Sequence, residues 1–298
     1  MKLHKLKLGD KKVFERYLAL RRHELAVYAF QNIYIWKGLF EISWALIRGS
    51  LCVYFKDNIG AFLYLAPLSE ENDAGSIKQA FDILDSLNKN KDVSRIENVE
   101  EEDLFFYRKA GYDCRVKSCD YLCRRAELAD LKGNKFKSKR ASRNYFTKNY
   151  RFECVEFSLR YKDACLKLYD AWAAERGGKN SDSVYCGMLK DSRKCLEVLL
   201  DSYKDLGIGG RLVLVENKLK GFTFGFKLNK DTFCILYEVA ELSAKGLAQF
   251  IFSEFCRGLK GYKYINVMDD SGLENLKKVK LSYHPARLIP AYIAKRDG

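Results

Sequence analysis

The feature that most limits the possible folds of this chain is an order of apolar segments and turns that occurs twice. Each half of the 298 residues is predicted to form a helix, a meander of short strands, a helix, a strand, a further helix and a last strand. The first helix is predicted over 11–35, and the second meander over 212–239, where Asn-Lys turns separate alternating segments. This order predicts an α/β (α+β) fold in tandem duplication, with mixed, mostly antiparallel sheets flanked by helices. The predicted domains are 1–148 and 149–298.

The apolar runs argue against a membrane-spanning or secreted protein, and the cysteines argue against a zinc protein. No apolar run reaches the roughly 18–20 residues of a membrane-spanning helix, and the N-terminus lacks the apolar segment of a secretory signal. The ten cysteines include no CxxC pair, and the three histidines lie far apart, so the spacing of a zinc site is missing. We expect a cytoplasmic protein with reduced thiols, without a metal and without a bound cofactor.

The charge of the chain points to a polyanionic partner. Lys and Arg number 53 against 39 Asp and Glu, a net charge of +14. Residues 132–150 hold seven basic residues and no acidic one. If this segment is helical, Lys132, Lys135, Lys139 and Arg143 share one face, which can track phosphates or can simply be solvated. The candidate substrate- or polyanion-binding residues are Lys135, Lys137, Lys139, Arg140, Arg143, Asn144 and Lys245, the last at the start of a predicted helix.

Carboxylates in two other segments are candidate catalytic groups. Segment 264–285 places Asn266, Asp269 and Asp270 after a buried strand and near Lys280 and Tyr283. The alternative is a capping box between Ser271 and Glu274, with the two aspartates only favouring a helix N-terminus. Glu238 lies in an otherwise apolar strand, where it either faces solvent or is buried with a raised pKa. Tyr283 is also a candidate for the core.

Two patterned blocks resemble the soluble catalytic domain of lysylphosphatidylglycerol synthases (phosphatidylglycerol lysyltransferases), and still more a stand-alone bacterial family of unknown function related to it. The first block carries Asp120-Tyr121, Leu128, Leu131, Gly133, Lys135-Phe136, Ser138-Lys139-Arg140, Asn144, Phe146 and Tyr150. The second carries Asn266, Asp269-Asp270, Gly272, Leu276, Lys280, Ser282-Tyr283 and Pro285. The resemblance implies a tandem of two GCN5-related N-acetyltransferase-like (GNAT-like) domains, as in the FemABX aminoacyltransferases, with the site in the second domain.

The implied activity is transfer of an aminoacyl group from aminoacyl-tRNA to a phospholipid such as phosphatidylglycerol, or to another hydroxyl or amine. It implies tRNA and anionic lipid as partners and a protein that can work at the inner face of the membrane. Val267 and Met268 depart from the Arg and Glu usual in the family, so a non-catalytic RNA- or membrane-binding protein is one alternative. The other alternative is an N-acyltransferase that uses acetyl-CoA or another acyl-CoA, with a phosphate-binding turn at Lys245-Gly246.

Overall fold

The structure, a computed structural model, describes residues 2–178 and 182–296. Its α-helices are α1 (Lys11–Leu18), α2 (Phe30–Ile35), α3 (Ala74–Leu87), α4 (Leu104–Lys109), α5 (Arg125–Asp130), α6 (Lys137–Asn149), α7 (Lys162–Gly178), α8 (Ser183–Asp201), α9 (Tyr203–Leu206), α10 (Leu247–Gly258) and α11 (Glu274–Leu281). Its strands are β1 (His4–Lys5), β2 (Glu41–Ile47), β3 (Ser50–Lys56), β4 (Ala61–Leu63), β5 (Ile96–Glu100), β6 (Tyr112–Arg124), β7 (Phe152–Glu156), β8 (Gly209–Val215), β9 (Lys218–Lys227), β10 (Thr232–Ala240), β11 (Tyr264–Asn266) and β12 (Arg287–Arg296). Among the described residues, no helix combines the length and the apolar character that crossing a membrane requires.

The first of two compact units comprises residues up to 120 together with 269–272 and the segment from 288 onward. Its strands follow the order β1-β2-β3-β4-β5-β12, and all neighbours are antiparallel except β4 and β5, which α3 connects. Helix α3 begins at a cap, because the Asp73 carboxylate accepts hydrogen bonds from the backbone N–H groups of the first turn. Its apolar side packs into a core that includes Phe81, Tyr107 and Tyr292.

The second unit comprises 121–268 and 273–287. Its strands follow the order β6-β11-β10-β9-β8-β7, in which β6 contributes only its end from Tyr121. Strands β7 to β10 pair antiparallel, and β10 pairs parallel with β11. The connection between these two parallel strands is α10, whose buried side consists mainly of Leu, Ile and Phe. Helix α6 packs on α10 and on the sheet through Phe146, which is fully buried.

The predicted second meander is present as β8, β9 and β10, but the predicted single helix over 11–35 is wrong. Helix α1 ends at Leu18, and α2 begins at Phe30. The residues between them are held by the tertiary structure, since the backbone N–H of Ala26 donates to the Asp120 carboxylate at 2.7 Å and Leu25 is buried. Such a bond between residues distant in sequence overrides local helix propensity.

The division into compact units differs from the predicted domains 1–148 and 149–298. The chain passes from the first unit to the second after Asp120, and it returns to the first unit for its last strand. Helices α5 and α6 therefore pack with the second unit, where α10 contacts both of them. The boundary between the two duplicated domains at 148/149 stays a prediction.

Candidate active site

Glu238 lies on a stretch of β10 that its parallel neighbour leaves uncovered. Strand β11 pairs with β10 only from Thr232 to Cys234, and β11 ends at Asn266. Beyond that point β10 continues to Ala240, with a bulge between Ile235 and Tyr237 in its pairing with β9. Bulges of this kind redirect side chains and are frequent near active sites. The fold thus opens one edge of β10 at the position of Glu238.

The Glu238 side chain is half-buried on β10. Burial raises the pKa of Glu238 from 4.5 to about 8, and the charge of Lys139 partly opposes that rise. At pH 7 a carboxyl with such a pKa is about nine-tenths protonated. Its proton is therefore exchangeable near neutral pH, as a general acid or base requires.

Lys139 and Tyr283 lie close enough to Glu238 to interact with its charge. The Lys139 ammonium lies 4.3 Å from the centre of the Tyr283 ring, a cation–π distance. Burial lowers the pKa of Lys139, and the Glu238 charge counteracts this effect. The pKa of the Tyr283 hydroxyl is raised by burial and, next, by Glu238. The predicted residues Glu238, Lys139 and Tyr283 are thus brought together, and we call them the Glu238 recess.

Two cysteines, which the sequence did not mark as site residues, lie beside this recess. Cys256 on α10 and Cys123 on β6 are buried in the same apolar cluster as Tyr283. Burial raises the pKa of both thiols, to about 12 for Cys123, and the Glu238 charge raises that of Cys256 further. These thiols are neutral at pH 7 and form an apolar wall, which maintains the low polarity around the carboxyl. No spacing in the sequence distinguishes them from the other cysteines.

Asn266 and Lys280 shape the loop that follows β11. Asn266 is fully buried, and its side-chain oxygen accepts a hydrogen bond from the Met268 backbone N–H at 2.7 Å. The Lys280 ammonium donates to the backbone oxygens of Val267 at 2.6 Å and Met268 at 3.1 Å. Met268 adopts a left-handed backbone conformation with φ of 60°. The two side chains hold a strained turn in place, which is a positioning role.

Asp269 and Asp270 belong to the first compact unit. One oxygen of Asp269 accepts from the Ser271 backbone N–H, and one of Asp270 accepts from that of Gly272. The Asp269 charge is, after burial, among the causes that raise the pKa of the Tyr64 hydroxyl. The alternative capping box is wrong, because α11 begins after Leu273 and has no side-chain cap.

Several of the predicted polyanion-binding residues are engaged within the protein. Helix α6 begins at Lys137, so Lys132 and Lys135 lie before it, and the predicted single basic face is wrong. Lys135 pairs with Glu127 at 2.6 Å. Arg140 donates to the backbone oxygens of Leu131 and Gly133, where it closes the end of α5. These contacts stabilise the entry to α6.

The remaining predicted basic and polar residues lie on the outer side of α6 and before α10. Lys137, Asn144 and Lys245 are exposed, and Arg143 is half-buried beside Asn144, its side-chain nitrogens 3.3 and 3.4 Å from the amide oxygen. The Lys245 ammonium lies 4.7 Å from the centre of the Tyr145 ring. This surface carries positive charge without a carboxylate on α6 itself. It is suited to contact phosphates.

The backbone of α6 packs closely against the turn at Gly246. Gly246 has φ of +86°, and a Cβ atom at this position would come within 2.1 Å of the Ser142 backbone oxygen. Only glycine permits this approach of the two backbones. Among the described residues, no cluster of three His, Cys, Asp or Glu side chains is arranged to bind a metal ion.

Comparison with known proteins places the chain in a family. The profile of the family described as phosphatidylglycerol lysyltransferase, C-terminal, matches residues 19–295. The chain belongs to this family. No curated protein matches the sequence.

Several solved structures share the fold of this chain. A conserved protein of unknown function from Bacteroides thetaiotaomicron is 24% identical, with 100% of both chains covered and a TM-score of 0.88. L-PGS from Bacillus licheniformis is 15% identical, with 98% of this chain and 93% of that chain covered and a TM-score of 0.67. A tandem GNAT protein from the clavulanic acid biosynthesis pathway is 8% identical, with 100% and 98% covered and a TM-score of 0.54.

At such identities the structural similarity establishes the fold. The predicted tandem GNAT-like α/β fold and the resemblance to the phosphatidylglycerol lysyltransferase family are both confirmed. The chain is thus related to acyltransferases.

Proposed function

We propose that the protein transfers an aminoacyl group from aminoacyl-tRNA to a hydroxyl or amine acceptor, with an anionic phospholipid such as phosphatidylglycerol as the first candidate. The observation that carries this proposal is the Glu238 recess, in which burial raises the pKa of a carboxyl to about 8 beside Lys139 and Tyr283. Membership of the phosphatidylglycerol lysyltransferase family supports the classes of donor and acceptor. The exposed basic side of α6 supports a donor that carries phosphates.

The proposed reaction is attack of the acceptor oxygen or nitrogen on the ester carbonyl of the aminoacyl-tRNA. The Glu238 carboxylate accepts the proton of the acceptor as the new bond to the carbonyl carbon forms. The ammonium of Lys139 and the hydroxyl of Tyr283 stabilise the negative charge that develops on the carbonyl oxygen. The carbon–oxygen bond to the ribose then breaks, and the proton on Glu238 passes to the ribose oxygen. The aminoacyl group thus passes unchanged from the tRNA to the acceptor, and the step needs no cofactor.

Other predicted site residues take different roles in this proposal. Asn266 and Lys280 act through the loop that they hold, because their polar atoms bond to backbone groups. Asp269 and Asp270 take no part in the proposed step, because they belong to the first unit. Use of acyl-CoA is less well supported, because the backbone N–H groups of Lys245 and Leu247 at the Gly246 turn already donate to the backbone oxygens of Ser243 and Ala244.

Transfer from labelled aminoacyl-tRNA tests the proposal. The protein is incubated with phosphatidylglycerol vesicles and tRNA charged with a labelled amino acid, and label is measured in the lipid. We expect Glu238→Gln to lower the rate by about 10²–10⁴-fold, whereas Glu153→Gln, an exposed glutamate on β7, leaves it unchanged. An unchanged rate in Glu238→Gln refutes the role of the recess.

A thermal-shift series identifies the donor. Aminoacyl-tRNA at 100 times its Kd is expected to stabilise the protein by about 2.7 kcal/mol, more than uncharged tRNA does. Stabilisation by acetyl-CoA alone would favour the acyl-CoA alternative. Equal, salt-sensitive stabilisation by both tRNAs, without transfer, would favour a non-catalytic binding protein.

A further inference from the structure

Helix α11 is attached to the protein along one side only. None of its eight residues is buried. Lys280 lies on the inner side, which contacts the protein, and its ammonium donates hydrogen bonds to the backbone oxygens of Val267 and Met268. Successive residues of a helix are rotated by about 100°, so Lys278 points away from this inner side. The opposite side of α11 therefore faces solvent.

The solvent side of α11 combines a lysine with aliphatic side chains. Lys278 is exposed on this side, and so are Val279 at 51% and Leu281 at 42%. Lys277 is also exposed, but it lies about 60° around the helix from Lys280, nearer the inner side. Val279 and Leu281 each lie about 100° around the helix from Lys280, in opposite directions, so they form the two borders of the side that carries Lys278. A short amphipathic helix usually packs its aliphatic side chains against the rest of the protein. Val279 and Leu281 in this eight-residue helix are exposed instead.

The basic character continues onto the residues before α6. The His284 side chain, just beyond α11, lies 3.2 Å from the Lys135 backbone oxygen, measured from its Nε2 atom. Lys135 and Lys137 are exposed there. Lys135 pairs with Glu127, and Lys277 lies 3.6 Å from Glu274. Among the described residues, no carboxylate lies within ion-pair distance of Lys137 or Lys278. We call Lys135, Lys137, Lys277, Lys278, Val279 and Leu281 the α11 face.

We propose that the α11 face docks on an anionic lipid bilayer. Lysines on such a surface are attracted to acidic headgroups, while short aliphatic side chains beside them contact the headgroup region. An RNA offers phosphates but no apolar layer for Val279 and Leu281, so a membrane fits both parts of the face. The inference deepens the proposed function, because it rests on a lipid acceptor and gives the surface by which the protein reaches it.

Vesicle sedimentation with the full chain tests docking without any transfer reaction. Two kinds of vesicle are used, phosphatidylcholine alone and phosphatidylcholine with 30% phosphatidylglycerol. We expect binding only to the second kind. Lys277→Ala with Lys278→Ala should weaken it by roughly thirtyfold. Val279→Ser with Leu281→Ser should also weaken it several-fold, although it leaves the charge unchanged.

A matched control distinguishes an effect of the α11 face from an effect of the net positive charge of the protein. Lys218→Ala with Lys230→Ala removes two exposed lysines, one at the start of β9 and one in the turn before β10, and makes the same change in net charge. The control should bind vesicles like the unchanged protein. Equal weakening in the control, or no weakening in the Val279 and Leu281 variant, overturns the proposal. Loss of uncharged-tRNA binding in the Lys277 and Lys278 variant with vesicle binding intact would assign the face to RNA instead.

Vesicle binding and aminoacyl transfer can fail independently. Docking that follows the expected pattern in a protein without transfer activity would contradict the proposed function alone. Transfer activity in a protein whose vesicle binding does not depend on the α11 face would contradict only the proposal of this docking surface.

Discussion

Replacement of Glu238 by glutamine measures what burial of this carboxyl costs the fold. The pKa of Glu238 is about 8 in the folded protein, against an ordinary value of 4.5. The folded state therefore holds this proton more tightly than the unfolded chain does. The resulting stabilisation is fully present below pH 4.5 and is lost as the pH rises from 4.5 to 8. Over that range the total change is about 5 kcal/mol.

Glutamine keeps the shape of the side chain but does not titrate. The free energy of unfolding of Glu238→Gln relative to the unchanged protein should therefore increase with pH. Applied to the two pKa values, linkage gives an increase of about 2.5 kcal/mol between pH 5 and pH 7. The variant is more stable at pH 7 if the amide makes no unfavourable contact, and the pH dependence holds in either case.

Urea unfolding of both proteins at pH 5 and pH 7 measures this difference. Glu153→Gln is the control, because Glu153 is exposed on β7 of the same unit. Its effect should stay within about 0.5 kcal/mol at both pH values. A stability difference for Glu238→Gln that is the same at pH 5 and pH 7 would refute the argument that burial raises this pKa.

Three further predictions concern the recess, the Gly246 turn and the loop after β11. The rate of aminoacyl transfer should rise with pH and level off above about pH 8, because Glu238 acts as a base only when deprotonated; a flat profile for the unchanged protein between pH 6 and pH 9 contradicts that role. Gly246→Ala should lose more than about 2 kcal/mol in urea unfolding, because its φ is positive and its Cβ meets the Ser142 oxygen. Gly258→Ala, where a Cβ meets nothing within 4 Å, should change stability by less than about 1 kcal/mol, and equal losses would count against the steric argument. Lys280→Met should lose about 2 kcal/mol, since two backbone oxygens lose a charged donor, whereas Lys277→Met at an exposed position should lose less than about 0.5 kcal/mol.

The parts of the fold that sequence predicts well are those fixed by neighbouring residues. The second meander follows from alternating apolar residues and from turn residues within a few positions of each other. The segment between α1 and α2 could not be predicted in this way. Its conformation depends on the bond from the Ala26 N–H to Asp120, 94 residues away. The end of β11 after three pairs with β10 is likewise a tertiary property.

The candidate site shows the same limit. A carboxylate in an apolar strand identifies Glu238, because burial without a partner is costly. The spacing of residues also predicts that Lys139 lies on a helix, but it does not show which side of that helix packs against the rest of the protein. The structure shows that the side of α6 that carries Lys139 faces the Tyr283 ring, whereas the predicted polyanion-binding role of Lys139 stays a prediction. The nearby Cys123 and Cys256 carry no local signal, since only the packing of β6 and α10 brings them to the recess.

The return of the last strand to the first unit has a consequence during synthesis. Strand β12 pairs antiparallel with β5, and its Tyr292 and Ala294 complete the apolar core of that unit. A ribosome makes residues 2–120 long before it makes 288–296. The nascent first unit must therefore wait with the edge of β5 unpaired while the whole second unit emerges and can fold. An unpaired edge is a site for wrong pairing, so this interval is the stage at which a chaperone would be most useful to the nascent chain.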